Sequence, residues 1–348
     1  MRFFAIDCHI GINDIKSIFE SLGHSLDVWS ISRAAPLMGW EQREPDILNN
    51  KSWYKFNHNM AYKFAERYKD VLETYDGFVC FYPTSFSLIY SFFNKPIIVQ
   101  TPIRSDVPFH FSPEYSASFY NFLKANIEAG KIIPLANNRV DKEYNEILTD
   151  CSWKLIPSLC DYVSAKYKPS LNKHIYSTQN RFELPKIKGL ELASGYSGKS
   201  WEEIYSYKGI IHIPYHNSIM SCFEQYNAGM PLFFPSHSFL KELKFKFPDK
   251  IMNEMSWQQI DNQRPLQRQP FTNKSIPDIA NWNSVESFEY WSSKCDWYDE
   301  EWMPGVNLYD SFEHLSEMID QGSYSQQTGL TERKNRILNL WKQILDQI

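Results

Sequence analysis

Short apolar runs alternate with amphipathic segments through the first half of the chain, the pattern of a parallel sheet covered by helices. Residues 2–8 (RFFAIDC) read as a buried strand. Residues 12–22 read as a helix, because Ile15, Ile18, Phe19 and Leu22 recur at spacings of three and four before Gly23 ends the pattern. Further strands are predicted at 26–31, 77–82, 96–101, 131–136 and 154–159. A long helix is predicted over 58–75, with Ala61, Phe64, Ala65, Tyr68, Leu72 and Tyr75 on one face. The stretch 33–57 carries Pro36, Gly39, Trp40 and Trp53 without periodicity. It follows the second strand at the end where α/β sheets place their sites, and is predicted as a binding loop.

The spacing loosens from 162 to 200, which places a domain boundary near 170–184. A clear strand-helix-strand unit follows: 209–213, 218–228 and 231–234, with Gly229 and Pro231 closing the helix. Residues 255–305 carry only fragments of pattern. After them come a strand at 306–309, a helix at 311–320, and a final amphipathic helix at 331–347 with Ile337, Trp341, Ile344 and Leu345 on one side. No internal repeat is visible. The fold class is therefore α/β, with a first domain over 1–175, a second over 176–330, and a terminal helix over 331–348.

Composition narrows the function. Eleven Trp, 21 Tyr and 24 Phe exceed what core filling needs and suggest surfaces where rings meet sugars, bases or partner chains. A net charge of -5 without a long basic run makes a nucleic-acid partner unexpected. The first residues reach Asp7 before any signal-like apolar stretch develops, and no window approaches the roughly 18 apolar residues of a membrane span. The expectation is a soluble, cytoplasmic protein. The six cysteines, Cys8, Cys80, Cys151, Cys160, Cys222 and Cys295, lack CxxC or His/Cys ligand spacing and read as reduced core thiols. With no DxD or HExxH in the chain, no metal site and no cofactor are expected.

The segment from His212 to Glu224 holds the densest chemistry. A strand ends at Pro214-Tyr215, and His216, Asn217 and Ser218 form a polar corner before the helix. Free N–H groups of a helix's first turn make such a corner an anion site. Ser218 is placed as the N-cap and Ser221 in the first turn beside the same donors. Glu224, further into the helix, suits sugar hydroxyls, since a carboxylate accepts two hydroxyls well and repels phosphate. The plainer alternative makes Ser218 a cap only, Glu224 a solvated surface carboxylate, and His212 and His216 ordinary turn residues.

The run 218–236 (SIMSCFEQYNAGMPLFFPS) resembles the nucleotide-sugar binding segment of GT-B fold glycosyltransferases, in which a helix with a ribose-binding glutamate precedes Ala-x-Gly-x-Pro, or a close variant, and a short apolar strand. Here Ala228, Gly229 and Pro231 stand as AGMP. The start at Cys8-His9-Ile10-Gly11 and the last helix with Trp341 are more weakly similar to the same fold. The resemblance implies two Rossmann-like domains facing across a cleft, with the acceptor on the first, the nucleotide-sugar on the second, and the last helix crossing back to the first. Many retaining members carry a glutamate eight positions before the ribose-binding one, and this chain has His216 there.

In similar inverting enzymes a histidine or aspartate on the first loop takes the acceptor's proton. His9 suits that role, since imidazole is a base near neutral pH, with Asp7 and Asp14 as further candidates. Asp7 would orient the ring if the turn brought it round; a loop histidine bonded to its own backbone is the alternative. Arg104, in the turn after the fourth strand, could face a departing diphosphate, or make a surface salt bridge. Lys199 follows Gly198 without the spacing of a phosphate loop, which rejects an ATPase and leaves a lysine near the donor phosphates. Trp282, Trp291, Trp297 and Trp302 cover a sugar or close a small core. The expected function is metal-independent, inverting transfer of a sugar from a nucleoside diphosphate sugar to a hydroxyl of a carbohydrate acceptor. A nucleotide-sugar epimerase, a phosphorylase and a non-catalytic sugar-binding module are the alternatives.

Overall fold

The computed structural model describes residues 1–109, 112–177, 182–193, 199–252 and 284–348. Trp282, Gly195 and Gly198 lie outside the described residues, as does most of the weakly patterned stretch 255–305. The chain forms two compact α/β units, each built on a parallel sheet.

The first unit takes Met1–Ser158 and Ile337–Ile348. Its strands are β1 (Arg2–Asp7), β2 (Ser25–Ser30), β3 (Gly77–Cys80), β4 (Ile97–Thr101), β5 (Ile132–Ala136) and β6 (Lys154–Leu155). They form one parallel sheet in the order β2-β1-β3-β4-β5-β6. Every residue of β3 and β4 is buried, as expected for central strands covered on both faces. Its helices are α1 (Ile12–Ser21), α2 (His58–Arg67), α3 (Lys69–Leu72), α4 (Ser87–Tyr90), α5 (Pro113–Glu128) and α6 (Arg139–Thr149).

The long helix expected over 58–75 is two helices, because Tyr68 leaves helical geometry at φ -113° and ψ 18°. Its ring packs edge-on against Trp29 at 5.1 Å. Helices α5 and α6 were not foreseen. Their starts are legible in retrospect: Ser112 accepts from the Tyr115 N–H and Asn138 from the Asp141 N–H, two side-chain N-caps. The last residues of the chain carry the predicted apolar stripe, with Ile337, Trp341, Ile344 and Leu345 buried and Trp341 edge-on to Phe19 at 5.5 Å.

The second unit holds residues 159–252 and 284–336 among those described. Its strands are β7 (His174–Ser177), β8 (Leu190–Ala193), β9 (Ile210–Ile211), β10 (Leu232–Pro235) and β11 (Asn307–Tyr309), parallel in the order β11-β10-β9-β7-β8. Helices α7 (Trp201–Ile204), α8 (Met220–Ala228), α9 (His237–Lys246), α10 (Val285–Ser292), α11 (Phe312–Gln321) and α12 (Leu330–Leu345) complete it, with the end of α12 counted in the first unit. Gly209 lets β9 lie beside β10, since a Cβ there would meet the Phe233 ring at 2.7 Å and the Pro231 carbonyl at 3.0 Å.

The units divide at Ser158 and Leu159, ahead of the loosened stretch. The loose segment has a structural role in the second unit: the Tyr167 N–H donates to the Ala228 carbonyl (3.3 Å), the Lys168 N–H to that of Tyr205 (3.1 Å), and those of Ser170 and Leu171 to that of Ser206. Extended chain bonded in this way lacks periodicity and reads as a linker.

Candidate functional site

In the first unit the site begins where β1 and β3 end. Asp7, the last residue of β1, is fully buried, and its two oxygens accept the backbone N–H groups of His9 (2.6 Å) and Tyr82 (2.7 Å). Burial raises its pKa well above the carboxylate range, against these two hydrogen bonds, which lower it. Asp7 thus clasps the turn after β1 to the turn after β3, and does not orient the His9 ring. Asp14 is also enclosed, in the first turn of α1.

His9 is exposed, and it is held by its own loop. The Gly11 N–H donates to His9 Nδ1 at 3.0 Å. Gly11 permits that approach, because a Cβ there would lie 2.9 Å from Nδ1 and 2.8 Å from the Phe81 ring. The protein packed about the ring lowers its pKa, although its outer surface remains exposed. With Nδ1 accepting, the neutral ring carries its proton on Nε2. The outward nitrogen is then a donor, which corrects the expectation of a general base poised at that atom. The loop alternative, a histidine bonded to its own backbone, describes what the ring does.

Arg104 faces no surface. Its guanidinium is buried and paired with Asp106 through Nε–Oδ1 and through Nη2–Oδ2 at 2.7 Å, and Ser116 also donates to Asp106. Burial, the largest single influence, pulls the Arg104 pKa down, but the Asp106 carboxylate together with Tyr144 and Tyr120 outweighs it and the net shift is upward. The residue closes an internal fork of hydrogen bonds, with the Tyr144 ring 5.8 Å away.

In the second unit, β9 leads to the polar corner and α8. Ile219, with extended backbone and no side-chain cap, takes the N-cap position expected of Ser218. The Ser218 N–H turns back to His216 Nδ1 at 3.2 Å. His216 and Asn217 are buried, Tyr215 and Ser218 half-buried, and Ser221 half-buried in the first turn of α8. The helix closes as predicted, with Gly229 left-handed at φ 86°.

Glu224 is not a solvated surface carboxylate. It is 6% exposed, and Tyr162 donates to its Oε1. The Tyr205 hydroxyl bonds its backbone carbonyl at 3.3 Å. His212 Nε2 lies 2.8 Å from Gln225 Oε1, and Cys222 Sγ lies 4.0 Å from His212 Nδ1. Burial, then the Asp296 and Glu224 carboxylates, raise the Cys222 pKa, so that thiol is inert at neutral pH. The His212 ring stacks on Phe234 at 4.7 Å, and Phe234 on Trp297 at 4.7 Å. Trp291, Trp297 and Trp302 are buried, which favours the small-core reading of that aromatic cluster.

Lys199 stands just before α7 and is engaged with its neighbours: its Nζ lies 3.3 Å from the Tyr207 hydroxyl and 3.8 Å from Glu191 Oε1. Its position offers an anion a cation already paired with a carboxylate. Sequence reasoning missed Tyr162, whose partner is far along the chain, and the Trp53–Tyr82 ring contact, for which the only signal was an aperiodic, Trp-bearing loop. Among the described residues, no group of three or more His, Cys, Asp and Glu is arranged to hold a metal ion. No helix among them is long and apolar enough to cross a membrane.

No protein-family model matches the chain, and no curated protein does. Two solved structures similar to it are glycosyltransferases, the class that the run 218–236 resembles. One is the glycotransferase of kitacinnamycin, at 10% identity and a TM-score of 0.37, over 67% of this chain and 80% of that one. The other is CalG4, the calicheamicin glycosyltransferase, at 12% identity and a TM-score of 0.35, over 68% of this chain and 79% of that one. Similarities of that size leave the function to be argued from the residues.

Proposed function

We propose that the chain is a glycosyltransferase that moves a sugar from a nucleoside diphosphate sugar to a hydroxyl of a carbohydrate acceptor. The observation that carries this reading is Glu224: a carboxylate on the helix after a short parallel strand, buried and held by a phenol. Enclosing a carboxylate is costly unless it is bonded, and a fixed carboxylate on the helix that follows a parallel strand is suited to a ribose diol. The helix, left-handed glycine and apolar strand that follow have the order the resemblance implies.

Transfer itself needs no metal in this reading. The donor's diphosphate is met by backbone donors and by α8, and inversion is the expected outcome, since position 216 carries histidine where many retaining members carry glutamate. The test is a thermal-shift and calorimetric screen over uridine, guanosine, adenosine and thymidine diphosphates and their sugars, followed by transfer assays with bound donors. Selective stabilisation by one base and turnover only with an acceptor are expected. Conversion of a donor without acceptor would replace the reading with epimerisation, and binding of none would overturn it.

A further inference from the structure

We infer that Trp53, Tyr82 and His9 form a cup on the first unit that binds a neutral pyranose ring. The inference deepens the proposed function by naming the acceptor's class, and it rests on residues separate from Glu224.

Three rings converge where β1 and β3 end. The Tyr82 ring lies edge-on to His9 at 5.9 Å and 76°, and edge-on to Trp53 at 6.0 Å and 61°. His9 is exposed, and Tyr82 and Trp53 are half-buried, so each keeps open surface. Rings buried only for stability would be covered; each of these three retains exposed surface.

The support is specific. Asp7 fixes the turns bearing His9 and Tyr82 relative to one another through the two backbone bonds described above. Trp53 follows a tight turn in which the Asn49 N–H donates to Ser52 Oγ at 2.9 Å, the Lys51 N–H to Asn49 Oδ1 at 2.9 Å, and the Trp53 N–H to the Asn49 carbonyl at 3.0 Å. Three residues on, Phe56 is buried against Phe86 at 5.0 Å and Phe109 at 6.0 Å. The loop is pinned on both sides of Trp53, so the ring is preorganised and little ordering is left to binding.

The chemistry selects the ligand. Ring faces carry partial negative charge and attract the weakly positive C–H hydrogens of a sugar ring. Because the rings meet at steep angles, they suit a puckered ring with C–H bonds on several sides better than a flat aromatic one. His9 Nε2–H, fixed as a donor by the Gly11 N–H at Nδ1, offers one hydrogen bond to a sugar hydroxyl. The Asp7 carboxylate that bonds the His9 and Tyr82 backbone is fully buried, and the three rings themselves carry no formal charge at neutral pH.

The test is saturation-transfer NMR and titration of the full chain with the methyl pyranosides of glucose, galactose, mannose and N-acetylglucosamine, with phenyl methyl ether as a flat control. At least one pyranoside is expected to receive saturation through its ring C–H protons. Its affinity should fall tenfold or more in Trp53→Ala, little in Trp53→Phe, and severalfold in His9→Ala, while nucleotide binding is unchanged in all three. No pyranoside binding, binding indifferent to Trp53→Ala, or binding of the flat control alone would overturn the inference. Nucleotide binding without pyranoside binding sinks this inference and spares the proposed function; loss of nucleotide binding in the unaltered chain sinks that function.

Discussion

Tyr162 donates its phenolic hydrogen to Oε1 of Glu224, 62 positions away, and so ties a stretch of irregular chain to α8 within the second unit. This bond makes Glu224 a fixed acceptor. Glu224→Ala leaves a part-buried phenol without its acceptor and removes charge-assisted bonds worth roughly 1.5 to 3 kcal/mol each. It is expected to weaken nucleotide binding about tenfold or more. Tyr162→Phe keeps the carboxylate, so calorimetry should show a smaller loss. Equal affinities in both variants and the unaltered chain would assign the pair a purely structural role.

Gly11→Ala addresses the His9 loop. The added carbon would sit 2.9 Å from His9 Nδ1 and 2.8 Å from Phe81, so one of the two rings must move. The expected outcome is loss of turnover with nucleotide affinity retained, together with a changed His9 imidazole signal by NMR. An unchanged imidazole signal would show that the loop relaxes elsewhere.

Arg104 and Asp106 are both enclosed, so removing one partner leaves a buried charge uncompensated. Asp106→Asn is expected to destabilise the first unit by about 3 to 5 kcal/mol in denaturant unfolding. Nucleotide affinity, measured in the folded fraction, should not change. A selective loss of diphosphate binding would return Arg104 to the reaction.

Stability should fall with acid. Burial lowers the pKa of His174, His212 and His216 to about 4, below their ordinary 6.5. As pH drops through 6.5 the unfolded chain takes up protons that the folded chain refuses until about 4. The unfolded state therefore gains: stability is full above 6.5 and is lost toward 4, by up to about 3 kcal/mol per group. His174→Phe tests this, since no hydrogen bond reaches His174 Nε2 among the described residues and its ring lies among Phe233 and Tyr324. Urea unfolding between about pH 7 and 4.5 should show a shallower pH slope in that variant.

Chelation is the simplest measurement. Transfer activity is expected to survive exhaustive EDTA treatment, with α8 and backbone donors neutralising the diphosphate. Loss restored by Mn²⁺ or Mg²⁺ would reveal a metal-dependent step.

Much of the first sheet was legible because its central strands are continuous apolar runs; β4, with the sequence IIVQT, is an example. β7 and β8 were hidden, because HIYS and LELA are four residues each and mix polar with apolar positions. The candidate site was legible where a local motif carries it, as in α8 and Gly229. It was illegible where distant residues make it: nothing near Arg104 marks Asp106 as its buried partner rather than a surface neighbour, and nothing near Glu224 points to Tyr162.

The edge-on contact of Trp341 with Phe19 bears on the order in which the chain is made. Phe19 belongs to the first helix synthesised, and the ring that packs on it arrives only after the whole second unit has been made. Every strand pairing in the first sheet is parallel, so no hairpin forms early, and β1 acquires its second neighbour only once β3 has been translated. During synthesis the first unit therefore waits with an apolar side of α1 uncovered while the second is completed. A nascent chain halted before residue 337 should expose that side to chaperones and proteases, and release of the remaining residues should close it.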